Sequence, residues 1–193
     1  MTAPLLVIPA AGAASRMRGA DKLLERIDGV PLLRRQAQAA IGAGTGPMIL
    51  LREDDTARRE ALMGLRVVIE TVADAGKGMS ATLRHGAIRA AGRPLAVLLP
   101  DVPGVTSAEI RAVLNAFDGT HVTRATDPKG RPGTPIIFPP RLLTGFGLLT
   151  GDDGGRSLLL GEEVTLVPFE DDRATRDLDT PEDWRRWRAE TGR

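Results

Sequence analysis

The chain has 193 residues, of which 42% are hydrophobic and 26% are charged, and 26 basic against 25 acidic side chains give a formal net charge of +1. This size and composition predict one compact domain with a substantial core and exclude a disordered or fibrous protein. The near-neutral charge gives no general attraction to nucleic acid or to an anionic membrane surface, so any anion site must be local.

The residue types narrow the chemistry further. Cysteine is absent, which excludes disulfides, thiolate metal sites and a cysteine nucleophile. With only His85 and His121, a zinc site built on imidazoles is disfavoured, and a metal would need carboxylates, hence Mg²⁺ or Mn²⁺. No apolar run is long enough to span a bilayer and no signal-peptide pattern is present, so we expect a cytoplasmic protein.

Short apolar runs alternate with longer amphipathic segments, a pattern typical of a parallel sheet covered by helices on both faces. Strands buried on both faces are predicted at Leu5–Ile8, Met48–Leu51, Arg66–Ile69 and Leu95–Leu99. Helices are predicted near Pro31–Gly44, Thr56–Met63, Met79–Ala91, Ser107–Phe117 and Pro181–Glu190. The second half adds strands at Thr120–Ala125, Thr134–Phe138 and within Val164–Phe169.

The stretch LLVIPAAGAASRMRGADKLL runs from Leu5 to Leu24 and contains the first candidate site. It matches neither the G-x-G-x-x-G fingerprint of dinucleotide binding nor the Gly-Lys-Ser/Thr ending of a Walker loop. What remains is a loop of small residues after the first strand, whose amides could approach an anion closely, with Arg16 and Lys22 supplying charge. An ordinary strand-to-helix turn with solvated cations fits the local pattern equally well.

Two acidic stretches could hold a divalent cation. Asp101 comes directly after the buried run LAVLLP, where its carboxylate could either face a cleft or cap the following turn. In RDLDTPEDW, Asp177 and Asp179 alternate with Leu178 and would project to one side of an extended segment. The same residues also favour the start of a helix, with Thr180 or Asp179 as its N-cap.

The stretch DAGKGMSATLRHG brings glycines and hydroxyls to a loop that runs into a helix. Gly76 and Gly78 would permit close approach of a flat base, and Ser80 and Thr82 could bond a ribose or base edge. A flexible loop with Ser80 as a helix cap is the alternative.

Six stretches, taken in chain order, resemble the motifs of one family. They are PAAGAASRMRGADKLL, GMSATL, PDVPGVT, GRPGTPIIF, GDDGGRSLL and DLDTPEDW. Together they resemble the nucleotidyltransferases related to molybdenum cofactor cytidylyltransferase, over nearly the whole chain and as a single domain, 1–193. The resemblance implies a Rossmann-like, three-layer α/β/α fold with a mostly parallel sheet. It also implies an enzyme that transfers a nucleoside monophosphate with the help of Mg²⁺, or of Mn²⁺ in its place, and releases pyrophosphate.

The positions that match the family's motifs imply a role for each candidate residue. The catalytic residues would be Arg16, Lys22 and Asp101. The nucleotide would be bound by these three together with Ala10, Ala11, Gly12, Gly78 and Ser80. The metal would be held by Asp101 and Asp177, with Asp179 as the other candidate for the second ligand. The acceptor would face Thr134, Pro135, Asp152 and Arg156.

The resemblance also implies substrates and partners. The Ala-Ala-Gly loop favours CTP over GTP, and the acceptor would be a phosphorylated small molecule, foremost the molybdopterin form of the molybdenum cofactor. A molybdoenzyme or its chaperone would be the protein partner, with no nucleic acid or membrane involved. Guanylyl transfer, another phosphorylated acceptor, and a non-catalytic protein that binds nucleotide or cofactor remain alternatives, because Thr134 stands where the family usually has His or Asn.

Overall fold

The computed structural model describes residues 2–12 and 17–193. Within them the chain forms the strands β1 Leu5–Pro9, β2 Arg26–Ile27, β3 Val30–Pro31, β4 Met48–Leu51, β5 Val68–Thr71, β6 Leu95–Val97, β7 Val122–Thr126, β8 Pro132–Phe138 and β9 Val164–Pro168. The α-helices are α1 Leu32–Gly42, α2 Thr56–Ala61, α3 Met79–Ala90, α4 Ser107–Ala116 and α5 Pro181–Thr191. Short 3₁₀ helices cover Ala75–Lys77, Pro140–Leu148, Arg156–Leu159 and Asp172–Ala174.

Seven strands form one sheet in the order β5-β4-β1-β6-β8-β7-β9, and β2 and β3 form a separate hairpin. All neighbouring pairs in the large sheet are parallel except those of β8, which runs antiparallel to β6 and β7. The carboxyl ends of β1, β4, β5 and β6 therefore meet at one edge, together with the amino end of β8. This edge is where ligands bind in open α/β sheets.

Helices cover both faces of the sheet, which confirms the predicted three-layer α/β/α fold with a mostly parallel sheet. On one face, α1 and α4 bury apolar side chains such as Leu33 and Ile110 against the sheet. On the other face, α3 packs beside the 3₁₀ helix Pro140–Leu148, with Leu83 and Phe146 in the core. Among the described residues, no helix is both long and apolar enough to cross a membrane.

The predicted strands and helices are all present, with small shifts at their ends. The prediction that Arg66–Ile69 forms a strand buried on both faces is wrong. The strand is β5, Val68–Thr71, and Val68 is 50% exposed. The reason is its place at the edge of the sheet, where it pairs with β4 alone. The hairpin of β2 and β3 was not predicted, because two-residue strands leave no periodic pattern to detect.

A third apolar cluster fixes the segment that leads into α5. Trp184 and Trp187 of α5 pack with Leu178, Ile27 and Leu32. Thr180 is the N-cap of α5 and forms a capping box with Asp183, so the helix start predicted for this stretch is present, with Thr180 rather than Asp179 as the cap. The buried side chain of Leu178 anchors the residues on either side of it.

Candidate functional site

A cleft of about 450 Å³ opens at the carboxyl ends of β1 and β6. Pro9 at the end of β1 and Ala11 and Gly12 just beyond it line the cleft, and Gly78 and Thr82 line it from the start of α3. Lys22, Asp101, Asp152 and Asp179 bring charge to its walls. The cleft therefore combines a small-residue loop, a lysine and carboxylates at the sheet edge where ligands of such folds bind.

Three carboxylates gather beside this cleft. Leu178 donates its backbone N–H to the Asp101 carbonyl oxygen at 3.1 Å, which holds the segment of Asp177 and Asp179 against the end of β6. One carboxylate oxygen from each of the three aspartates lies within 4.8 Å of the others. The alternation of Asp177 and Asp179 about a buried Leu178 explains how both reach the same point.

The carboxylate cluster suits a divalent cation. Asp101 Oδ1 is buried and has no hydrogen-bond partner among the described residues, which is costly unless a cation or water satisfies it. Carboxylate oxygens are the ligands that Mg²⁺ and Mn²⁺ prefer, and the Asp101, Asp177 and Asp179 set offers three of them. These residues therefore fit a metal of this class.

Lys22 lies between two of the carboxylates. Its Nζ donates to Asp101 Oδ2 at 2.6 Å and to Asp179 Oδ1 at 2.5 Å. Burial alone would lower the pKa of Lys22, but the charges and hydrogen bonds of Asp101 and Asp179 outweigh it and raise this pKa above its ordinary value. Lys22 therefore stays protonated and carries a positive charge within the cluster.

At Asp177 the surroundings disfavour the charged form of the side chain, whereas at Lys22 they favour it. Partial desolvation, followed by the negative charges of Asp101 and Asp179, raises the pKa of Asp177 above its ordinary value. Three carboxylates face a single ammonium here, so the described part of the site has an excess of negative charge that a divalent cation would balance.

The residues predicted to bind the nucleotide differ in their exposure to the cleft. Ala11 and Gly12 line it, whereas Ala10 does not and packs into the core on one face of the sheet. Arg16 lies outside the described residues. Sequence reasoning missed the buried Arg58 of α2, which donates to the carbonyl oxygens of Ala10 and Gly12. The one signal for it was its position four residues before Leu62, on the inner side of α2.

Gly78 and Ser80 fix the start of α3 against the carbonyl oxygen of Gly151. Gly78 has a φ of 97°, and a Cβ there would lie 2.5 Å from the Gly151 carbonyl oxygen, so only glycine fits. Ser80 donates its backbone N–H to the same oxygen at 3.0 Å, and its side chain is buried rather than facing the cleft. Thr82, two residues further along α3, lines the cleft instead.

The residues predicted to face the acceptor do not come together in one surface. Asp152 lines the cleft and Arg156 is exposed on the neighbouring 3₁₀ helix, but Thr134 and Pro135 are buried. The Thr134 hydroxyl accepts from the Leu99 N–H at 3.0 Å and donates to the Val97 carbonyl at 3.1 Å. It thereby extends the pairing of β6 with β8 toward Asp101, a structural role that the sequence did not indicate.

A mostly parallel sheet whose edge joins a small-residue loop to a lysine and three carboxylates agrees with the nucleotidyltransferase class that the sequence motifs imply. Residues 6–166 match the family model of the MobA-like NTP transferase domain, and the chain belongs to this family. A comparison with curated proteins gives no match by sequence.

Several solved structures share the fold along nearly their whole length. A nucleotidyl transferase from Methanothermobacter thermautotroptrophicus (Mth528) is 23% identical, with 98% of each chain covered and a TM-score of 0.84. Rv0371c from Mycobacterium tuberculosis H37Rv is 27% identical, with 96% of this chain and 98% of that chain covered and a TM-score of 0.79. Its complex with manganese is 24% identical over 96% and 97%, with a TM-score of 0.77.

A more distant structure has the same fold. CMP:2-keto-3-deoxy-manno-octonic acid synthetase complexed with CTP is 14% identical, with 99% of each chain covered and a TM-score of 0.78. At this identity the likeness shows the fold alone.

Proposed function

We propose that the protein transfers CMP from CTP to a phosphorylated small molecule and releases pyrophosphate. The observation that carries the proposal is the position of the Lys22 ammonium, which lies within 2.6 Å of Asp101 and Asp179 at one wall of the cleft. At this point Lys22 would neutralise part of the triphosphate charge, and the carboxylates would balance the charge of a divalent cation. The Ala-Ala-Gly loop supports CTP as the nucleotide, and a structural relative of the same fold was solved with CTP.

The geometry suits phosphoryl chemistry that needs no protein nucleophile. A phosphate oxygen of the acceptor is already nucleophilic, so it would attack the α-phosphorus of CTP while the bond to the β-phosphate breaks and pyrophosphate leaves. The residues at the cleft would align the two substrates and stabilise the charge that develops on the leaving group. No cysteine is present and neither histidine lines the cleft, in agreement with this chemistry.

Each charged residue would have a distinct task in this reaction. Lys22 would turn from the carboxylates to the triphosphate, and Arg16 would bind the triphosphate from the same loop. Asp101 and Asp177, with Asp179 beside them, would hold Mg²⁺ or Mn²⁺. When bound, this ion would supply charge neutralisation at the phosphates. Manganese in the complex of Rv0371c supports a metal of this class.

The acceptor side rests on the resemblance of the motifs. Molybdopterin, the organic part of the molybdenum cofactor, carries the terminal phosphate that this reaction requires, and a molybdoenzyme or its chaperone in the cytoplasm would receive the product. Asp152 and Arg156 would contact the acceptor. Thr134 and Pro135 would not contact the acceptor directly but would support the residues that do, since both are buried.

A nucleotide panel followed by turnover tests this proposal. Thermal shift with CTP, GTP, ATP and UTP, each with Mg²⁺, should give the largest stabilisation with CTP, because a ligand that binds the folded state alone raises stability. Pyrophosphate release should then require both CTP and molybdopterin. A larger thermal shift with GTP than with CTP would instead support guanylyl transfer. CTP binding without pyrophosphate release, across a panel of phosphorylated acceptors, would favour a non-catalytic binder.

A further inference from the structure

Arg58 is buried beneath the loop that follows β1. Its side chain is 3% exposed. Nη1 donates to the carbonyl oxygens of Ala10 at 2.6 Å and Gly12 at 3.0 Å. On its other side, Nε and Nη2 donate to the two carboxylate oxygens of Asp21 at 2.7 and 3.0 Å. One guanidinium therefore joins the two ends of the segment 10–21.

Both ends of this segment are tied to the sheet or the core as well. Ala10 donates its N–H to the Leu50 carbonyl of β4 at 2.9 Å, which fixes the start of the loop. Asp21 Oδ1 accepts the N–H of Leu23 at 3.0 Å, and Leu23 is buried. Lys22, between these two residues, reaches Asp101. The contacts of Arg58 thus set where the Gly12 backbone and the Lys22 ammonium face the cleft.

The chemistry of the contact requires arginine. A guanidinium presents several N–H donors in a fixed plane, so it can bind a carboxylate through two hydrogen bonds and still donate to carbonyls beyond it. A lysine ammonium lacks this planar fork. Burial of a charge is unfavourable unless it is paired and hydrogen-bonded, and here the main partners belong to the loop rather than to α2.

We propose that Arg58 is a positioning residue of the nucleotide site, which holds the loop after β1 and Lys22 in the arrangement that binds the triphosphate. This inference rests on the proposed nucleotidyl transfer. Arg58 itself does not line the cleft, so it acts through Gly12, Asp21 and Lys22.

Two conservative variants separate positioning from general stability. Arg58→Lys keeps the positive charge but loses the paired bonds to Asp21, and the isosteric Asp21→Asn replaces one acceptor oxygen by a donor. Arg34→Lys is the matched control, because Arg34 Nη1 also donates to two backbone carbonyls, of Ala61 and Met63 at 2.9 Å each, away from the loop. Each variant is compared with the wild type for CTP–Mg²⁺ affinity, KM and kcat, deuterium uptake in the segment 10–22, and unfolding midpoint.

We expect Arg58→Lys and Asp21→Asn to raise the dissociation constant and KM for CTP about tenfold, as loss of a charged hydrogen bond does. The loop should exchange deuterium faster, and kcat should change less than KM, because the loop contacts the triphosphate before and during the reaction. If Arg58→Lys does not fold, Asp21→Asn decides alone. If Arg58→Lys and Asp21→Asn have the same KM and the same deuterium exchange rate as Arg34→Lys, the role of Arg58 is overturned. A wild type that neither binds nor turns over CTP would instead refute the proposed function itself.

Discussion

The ammonium of Lys22 lies 2.6 Å from the carboxylate of Asp101, although the two residues are 79 positions apart in the chain. The same ammonium contacts Asp179, so it occupies a position between carboxylates that a metal cation would otherwise take. Two cations close together repel each other strongly in a partly buried site. Metal binding and the contacts of Lys22 are therefore expected to be linked.

Replacement of Lys22 should strengthen metal binding in the absence of nucleotide. In Lys22→Ala the carboxylates of Asp101 and Asp179 lose their internal cation, so we expect Mn²⁺ alone to bind at least about tenfold more tightly than in the wild type. Titration of Mn²⁺ followed by electron paramagnetic resonance measures this directly. Lys77→Ala is the control, because Lys77 is exposed and pairs with Asp74 instead. Equal Mn²⁺ affinity in Lys22→Ala and wild type would contradict the competition.

The carboxylate of Asp101 should be required for turnover and dispensable for folding. Its backbone carbonyl, which accepts from Leu178, is retained in Asp101→Asn, so the segment of Asp177 and Asp179 should stay in place. We expect pyrophosphate release to fall by about 10² to 10³, as for loss of one electrostatic stabiliser. Near-normal turnover in this variant, compared with Asp118→Asn as a control outside the cleft, would remove Asp101 from the metal site.

Gly78 should resist substitution for a reason internal to the fold. Its φ of 97° and the Gly151 carbonyl 2.5 Å from the position of a Cβ leave no room for alanine. Strain of this kind costs about 1–3 kcal/mol, so Gly78→Ala should lower the unfolding midpoint by several degrees. Gly76→Ala is the matched control, because no atom lies within 4 Å of its Cβ position. Similar midpoints for the two variants would show that the 151–152 loop does not constrain α3.

The fold could be predicted from local patterns, whereas at Lys22 and Asp101 the local pattern left a structural alternative open and only the resemblance of six motifs pointed to a site. Apolar runs of four or five residues mark the buried strands, and the alternation about Leu178 indicates the shared direction of Asp177 and Asp179. The spacing of Arg58 from Leu62 indicates at most a side chain on the inner side of α2, since the role of Arg58 depends on carbonyl oxygens 46 and 48 positions away. The burial of Thr134 likewise follows from the antiparallel pairing of β8 with β6, which no local stretch encodes.

The Glu109–Arg173 ion pair should stabilise the protein in a pH-dependent manner. Arg173 Nη1 donates to Glu109 Oε1 at 2.8 Å, which joins α4 to the segment that leads to Asp177. Burial alone would raise the pKa of Glu109, but hydrogen bonds from Thr106 and the charge of Arg173 outweigh it and hold this pKa below its ordinary value. The carboxylate therefore stabilises the fold above its unfolded-state pKa, and this stabilisation is lost as pH falls through the lower folded-state pKa.

Glu109→Gln keeps a side-chain oxygen for the capping box but removes the charge opposite Arg173, so it should lower the free energy of unfolding by about 0.5–1 kcal/mol at pH 7, the range of a partly exposed ion pair. The difference from wild type should shrink as the pH falls from the ordinary pKa of a glutamate through the lower folded-state pKa of Glu109, because the unfolded state binds the proton first and the folded state only at lower pH. Urea unfolding at pH 7, 5 and 3.5 measures it. Glu60→Gln, in α2 and exposed, is the control and should show no such trend. A difference that stays constant across this range would mean that Glu109 acts by packing and not by its charge.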